Sequence, residues 1–497
     1  MMMRYSFKII CAVCLAILII SSCKKDPPVI DLAESGYPKE IGTIMLTKCA
    51  VSGCHNTQSA EAAAGLDLSS WDKLMSGDRN GAVVVPYSHE YSTLFLFVNH
   101  FTDLGAGAQP LMPYNAPPLA RNEVTAIRDW IEAGAPNAAG FVKFSDNPQR
   151  KKYYVTNQGC DVVTVFDQES GLQMRYVYVG GDAAIESPHN VKISPDGQYW
   201  YVVFSAGRYI EKYRTSDDGF VGRALLGSDA TSAFGSWNTF CISPDSRYAY
   251  VVDWNPNGRI ARVDLENMQW LQTYQGSNLL VQPHGSFISP DGNTLYITCN
   301  LGNYIYKIDI SVPQLPSFDK VVIDGTANPI NIPSEDGHEI LFSPDGTKYF
   351  VTSQHSNMIR VLDVATDALI TSIPVGVYPQ EMAISETMPY LYITCMEDTV
   401  TYPGNRGSIS VINWQTNTFV GSVNSGFQPH GIAIDENKKM VVVANRNVAP
   451  GGPAPHHSTN CGGRNGYVSF IDMNTQQLIQ GKRIEVSVDP YSIGIRR

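Results

Sequence analysis

The sequence predicts a small all-α unit followed by an all-β propeller of seven blades. Three observations lead there: the length, one segment with helical periodicity, and a strand pattern that recurs through the rest of the chain. At 497 residues the chain is too long for one ordinary domain. In Asn122–Ala135, Val124, Ile127, Trp130 and Ile131 share one face at helical spacing, and Gly134 stands where a helix C-cap is expected.

From about residue 150 a short apolar strand recurs: Tyr153–Asn157, Trp200–Val203, Tyr250–Asp253, Leu295–Thr298, Phe350–Thr352, Leu391–Thr394 and Val441–Ala444. Turns such as Ser194-Pro195-Asp196-Gly197, Ser289-Pro290-Asp291-Gly292 and Ser343-Pro344-Asp345-Gly346 precede these strands, with Pro at a corner and Gly where φ must be positive. Alternating strands such as Val163–Asp167, Arg259–Asp264 and Met358–Asp363 follow them. Four strands per unit and seven units describe a β-propeller. The chain enters the region on the second strand of a blade, and Asp489–Ile495 matches the first strand of the others. The C-terminus should therefore complete the first blade and leave no free edge. The pattern resembles the YVTN propellers, whose tetrapeptide stands intact at Tyr154-Val155-Thr156-Asn157. That resemblance covers residues 150–497 and speaks for fold more than for chemistry.

The N-terminal end carries Arg4 and Lys8, an apolar run from Ile9 to Ile20, and Ser21-Ser22-Cys23. The run is too short for a bilayer-spanning helix, which needs about 20 residues, and reads as a signal-peptide core. It resembles a bacterial lipoprotein signal, which implies cleavage after residue 22 and lipidation of Cys23; the alternative is an ordinary cleavage site with Cys23 incidental. Residues 23–37, beginning Cys23-Lys24-Lys25-Asp26-Pro27-Pro28, then form a tether. The resulting organisation is signal 1–22, tether 23–37, helical unit 38–140 and propeller 150–497. A formal net charge of −11 argues against nucleic acid or an anionic lipid surface as partner. A redox partner protein or a small molecule is easier to accommodate, with the membrane reached through the lipid anchor.

Chemistry enters with Cys49-Ala50-Val51-Ser52-Gly53-Cys54-His55. Two thiols followed at once by an imidazole can form two thioethers to a porphyrin and supply the proximal iron ligand, as in Cys-x-x-Cys-His. Four residues separate these thiols where the usual signature has two, and a Cys49–Cys54 disulfide is the competing reading. Further on, Met112 lies in the proline-flanked Gln109-Pro110-Leu111-Met112-Pro113 before the helix, where a thioether can serve as sixth ligand; His89 and His100 are weaker candidates. The segment resembles a family of c-type cytochrome domains found in exported multidomain bacterial proteins. The elements that carry the resemblance are Gly65-Leu66-Asp67-Leu68, Val84-Val85-Pro86, Ser92-Thr93-Leu94, Met112-Pro113 and Trp130-Ile131-Glu132-Ala133-Gly134-Ala135, in that order. It implies covalent haem c on Cys49 and Cys54, with iron held by His55 and Met112.

Aligning the repeats on their turn serines reveals a further regularity: His189, Asn238, His284, His338, Gln380, His430 and Tyr491 are equivalent. These side chains should ring one mouth of the channel, joined on that face by His355 and by the insertion Asn447–Gly466 with His456, His457, Cys461 and Arg464. A site for copper or another metal on His189, His284, His338 and His430 is one reading. Nitrous-oxide reductases resemble this in using propeller histidines for copper, and haem-d nitrite reductases in joining a cytochrome c to a propeller. The other reading is a structural histidine copied by duplication, bonding a neighbouring carbonyl. Of the ten cysteines, Cys160, Cys241, Cys299, Cys395 and Cys461 have no assigned role, and being odd in number they leave at least one free thiol.

The expected function is therefore haem-based electron transfer in the cell envelope, periplasmic or at the outer membrane. One alternative is an oxidoreductase with a metal or cofactor site on the propeller face. A second is a non-redox binding or adhesion propeller. No nucleophile with a base, phosphate loop or hydrolase-type carboxylate pair is evident in the sequence.

Overall fold

The computed structural model describes residues 32–182, 184–276, 279–457 and 461–496. The expected signal peptide and Cys23 lie outside the described residues. Among the described residues no helix is long and apolar enough to cross a membrane.

The propeller has seven four-stranded antiparallel blades. Their innermost strands are Pro188–Ile193, Trp237–Ile242, Pro283–Ile288, Gly337–Phe342, Pro379–Ile384 and Pro429–Asp435 in blades 2 to 7, and Pro490–Ile495 in blade 1. The last of these pairs with Lys152–Asn157, placing Ile495 opposite Tyr153 and Ile493 opposite Val155. The C-terminal strand thus closes blade 1, as the register of the repeats predicts, and the inner strands pack in ring order without a free edge. Each second strand is apolar and almost wholly buried, as in Lys152–Asn157 and Met440–Asn445, because it is sandwiched between neighbouring blades.

The turns behave as their sequences demand. Gly197, Gly292 and Gly346 have φ of +71, +77 and +68°, while Ser246 carries the same left-handed backbone in blade 3. In each turn the serine hydroxyl links its two ends: Ser343 Oγ donates to Asp345 at 2.6 Å and accepts the Lys348 N–H at 3.0 Å. The tetrapeptide threonine has a role across blades. Thr298 and Thr352 donate to the carbonyls of His338 and Gln380 in the next blade, at 2.9 and 3.1 Å. The tetrapeptide asparagine ties strands within a blade, as Asn157 Nδ2 donates to Val162 O and Thr164 Oγ1.

The N-terminal unit contains α1 (Lys39–Ile44), continued by a π-helical turn Met45–Cys49, then α2 (Trp71–Leu74), α3 (Thr93–Val98) and α4 (Arg121–Glu132). Much of the rest is turn and loop, and among its described residues only one isolated bridge, Asp78 with Gly81, pairs backbone in the manner of a sheet. In α4, Val124, Ile127, Trp130 and Ile131 are buried as the periodicity predicts, against Ile41, Ile44, Met45, Trp71 and Leu94. The Glu123 carboxylate reaches back to the Ala120 N–H at 2.8 Å, and Gly134 turns the chain at φ +93°. A side chain at Gly134 would stand 2.7 Å from the Tyr87 ring, so close packing as well as backbone requires glycine there.

This unit sits on the outer strands of blades 1 and 7. Tyr91 stacks on Tyr176 with centroids 3.8 Å apart, and the Gln173 amide accepts from the Ala82 N–H at 2.8 Å while donating to the Glu485 carbonyl at 2.7 Å. A Cβ on Gly81 would fall 2.5 Å from Gln173 Oε1 and 2.8 Å from Ile484 Cγ2, so propeller side chains press on a backbone that carries none.

Candidate functional site

Between the helical unit and the propeller lies a cavity of about 630 Å³, in the ~300–1,000 Å³ range of small-molecule and cofactor sites. Cys49, Cys54, His55 and Met112 all line it, although 56 residues separate His55 from Met112. The π turn brings Cys49 to the end of the first helix. A compact loop then returns to it through His55 N–H to Cys49 O at 3.1 Å, and His55 O accepts from Leu68 N–H at 2.8 Å. On the other side, the Met112 N–H donates to Phe97 O at 2.7 Å, and the thioether packs against the helical core. Leu66, Leu68, Val83, Leu94 and Val98 make this part of the wall apolar.

The electrostatics suit neutral ligands. Burial, reinforced by the neighbouring Cys54, pushes the Cys49 thiol up to about 12. Burial holds the His55 imidazole below its ordinary value, partly offset by the Leu66 carbonyl. Its Nδ1 is buried without a hydrogen-bond partner. Cys49 and Cys54 are both free thiols, so the competing disulfide is not formed. Two unjoined thiols, an under-satisfied imidazole and a thioether around one apolar space are a donor set that fits a covalently held haem. His89 and His100 do not line this cavity: the first pairs with Glu132 at 2.6 Å, and the second lies against Phe101.

The cavity has a second wall that the sequence did not suggest. Tyr176 and Gln173 reach it from blade 1, Glu485 from the outermost strand of blade 7, and His456 and His457 from the insertion. His456 Nδ1 lies 2.9 Å from Glu485 Oε1 and His457 Nδ1 3.3 Å from Glu485 Oε2. The insertion expected on the face of the channel mouth thus carries these two histidines to the outermost strand of blade 7. Its anchor is the Cys160–Cys461 disulfide between blades 1 and 7, whose partners are 301 residues apart in sequence. Arg464 holds the loop from within by donating to Gly452 O and Pro453 O, both at 2.7 Å.

In the channel, His189, His284, His338 and His430 do converge, with Tyr491 closing the circle. Ring centroids are 4.0 Å apart for His284 and His338, and 3.6 Å for His430 and Tyr491. Two of the rings bond a backbone carbonyl of the next blade. His284 Nδ1 donates to His338 O at 3.1 Å and His430 Nδ1 to Tyr491 O at 3.0 Å, while the carbonyls of Asn238 and Gln380 stand near His189 and His338. Burial lowers all four, His284 to about 4. Among the described residues no group of three or more His, Cys, Asp or Glu is placed to hold a metal ion, so copper or another metal there finds no support. Repeat register explains the convergence, and blade-to-blade hydrogen bonding explains the residue type.

No family model matches the chain, and no curated protein matches it. Solved structures do resemble it. A functionally unknown protein from Desulfotomaculum acetoxidans is 15% identical with a TM-score of 0.52, over 69% of this chain and 98% of its own. A proposed 6-phosphogluconolactonase from Bacteroides uniformis is 15% identical with a TM-score of 0.50, over 70% of this chain and 99% of its own. Hydrazine synthase of Kuenenia stuttgartiensis is 16% identical with a TM-score of 0.48, over 64% and 93%. At this identity the first two likenesses speak for the propeller fold alone. Cys241, Cys299 and Cys395 are buried free thiols in the blades, where they pack as small apolar groups. His355 is an exposed partner of Asp336 at 2.9 Å.

Proposed function

We propose that this chain is a haem-binding electron-transfer protein of the cell envelope, with a c-type cytochrome unit carried on its propeller. The observation that carries this reading is that Cys49, Cys54, His55 and Met112 line one apolar cavity, with the two thiols unjoined and the His55 Nδ1 unpartnered. In this reading Cys49 and Cys54 would hold the porphyrin by thioethers, and His55 and Met112 would hold its iron. The haem would supply one-electron chemistry at a potential raised by thioether ligation. The chain's own part is to exclude water with Leu66, Leu68, Val83 and Leu94, fix the imidazole through the Cys49–His55 loop, and hold Met112 through the Phe97 carbonyl. Export and lipidation at Cys23 belong to the same reading, since covalent haem attachment in bacteria is an export-side process. The redox partner would be another protein or a small molecule.

A pyridine difference spectrum of protein matured with the haem-attachment machinery tests this. A covalent c-type band that survives denaturation is the expected result. Colourless protein with Cys49 and Cys54 free or joined to each other would overturn the reading.

A further inference from the structure

The cavity has two chemically different parts. The thiols, His55 and Met112 stand among aliphatic and aromatic side chains, whereas Asp78, Asn80, Gln173, His456, His457 and Glu485 form a polar part largely supplied by the propeller. A haem has the same division, with an apolar macrocycle and one edge bearing two carboxylates. Glu485 is the organiser of the polar part. Its carboxylate accepts the His456 N–H at 3.1 and 3.0 Å and lies within 3.3 Å of the Nδ1 atoms of both His456 and His457. With the His456 Nδ1 turned to that carboxylate, its Nε2 is left to face other partners, while the His457 Nδ1, 3.3 Å away, is buried without a hydrogen bond. The pair is also held in place from outside, by the Cys160–Cys461 bridge and by Asn465 Nδ2 donating to His457 O at 2.8 Å.

Resting on the haem reading above, we propose that His456, Glu485 and His457 are positioning residues. They receive the carboxylate edge of the cofactor and exchange a proton with solvent as its charge changes. Where Nδ1–H is given to Glu485, as at His456, an Nε2–H becomes available to a second carboxylate only when the ring is doubly protonated, and Glu485 is placed to stabilise that imidazolium. The cluster therefore takes up one proton from water for each electron the site accepts from the reductant, and releases it on reoxidation. Other ionisable groups around the cluster are Asp78 and Tyr91 on the helical unit, Tyr176 on blade 1 and Arg483 on blade 7, with Lys48 elsewhere on the cavity wall. Arg483, 3.7 Å from Glu485 and partly exposed, is too far and too solvated to neutralise it alone.

The test is potentiometric titration of the full-length protein carrying covalent haem, from about pH 5 to pH 8, with dithionite as reductant. The expected potential falls with rising pH, approaching ~59 mV per pH unit where one proton accompanies one electron. E485Q and H457N should flatten that slope, and H456N, whose side chain is half exposed, should do so with little demand on folding. H355N, at an exposed position outside the cavity, should retain it. A pH-independent potential in the unchanged protein, or a slope kept by all three cluster variants, would overturn the proposal and leave the haem reading intact. Absence of the covalent band would overturn the haem reading itself, and this one with it.

Discussion

Two groups of histidines in this molecule look alike in sequence and differ in their surroundings. In the channel, four rings approach within ring-contact distance; the Nδ1 atoms of His284 and His430 bond backbone carbonyls, those of His189 and His338 are buried without such a bond, and no metal-holding group forms among the described residues. In the cavity, His55, His456 and His457 stand farther apart in sequence but share one open volume with two free thiols. Convergence alone is therefore a weak sign of a site. Open space lined by such groups is a stronger one, because it leaves room for a ligand to meet them.

The sharpest way to break this contrast is to remove one member from each place. C49A with C54A, or H55A, should abolish covalent pigment altogether, whereas H338A in the channel should leave the pigment-to-protein ratio unchanged. Absorbance of the purified proteins decides it. Equal loss of pigment from the channel variant would show that the two places are one functional unit.

Acid tests the channel next. The channel histidines have folded-state values below the unfolded value of about 6.5, so between those limits the unfolded chain binds more protons. Their stabilisation is thus complete above about pH 6.5 and is lost as pH falls towards the folded values, near 4 for His284. Each contributes a slope of about 1.4 kcal/mol per pH unit inside that window, several-fold more for the ring together. Urea unfolding of the apo-protein at a series of pH values should show this steep loss, and H284F with H338F should make it shallower.

Smaller effects test individual contacts. Replacing His338 by Ala removes a buried imidazole that packs on His284 and His430, and should cost about 2–4 kcal/mol in urea unfolding. Gln173→Ala takes away a bridge from the Ala82 N–H to the Glu485 carbonyl and should cost about 1–2 kcal/mol. Hydrogen exchange should then rise at Ala82 and Val83 while the blade interiors stay protected.

Much of this architecture was legible from residue order. The repeated strands, their turn glycines and the C-terminal match to a first strand implied seven blades and their closure, because each depends on local spacing and backbone conformation. The face of α4 and its glycine stop were legible for the same reason. Local pattern also placed His189, His284, His338 and His430 on one ring. What it could not reveal was which partners those rings would find, since a carbonyl one blade away is about 50 residues distant in sequence.

By itself, then, the sequence determined the blades, the closing strand and the grouping of Cys49, Cys54 and His55, all of which rest on periodicity or adjacency. Only the tertiary structure decided that Met112 faces the same cavity, that Cys160 pairs with Cys461, and that His456, His457 and Glu485 complete the wall. Those outcomes depend on how a helical unit and the rim of two blades pack together. Packing of that kind is set by surface shape and by single close contacts such as Gly81 on Gln173, which leave no periodic trace in the chain.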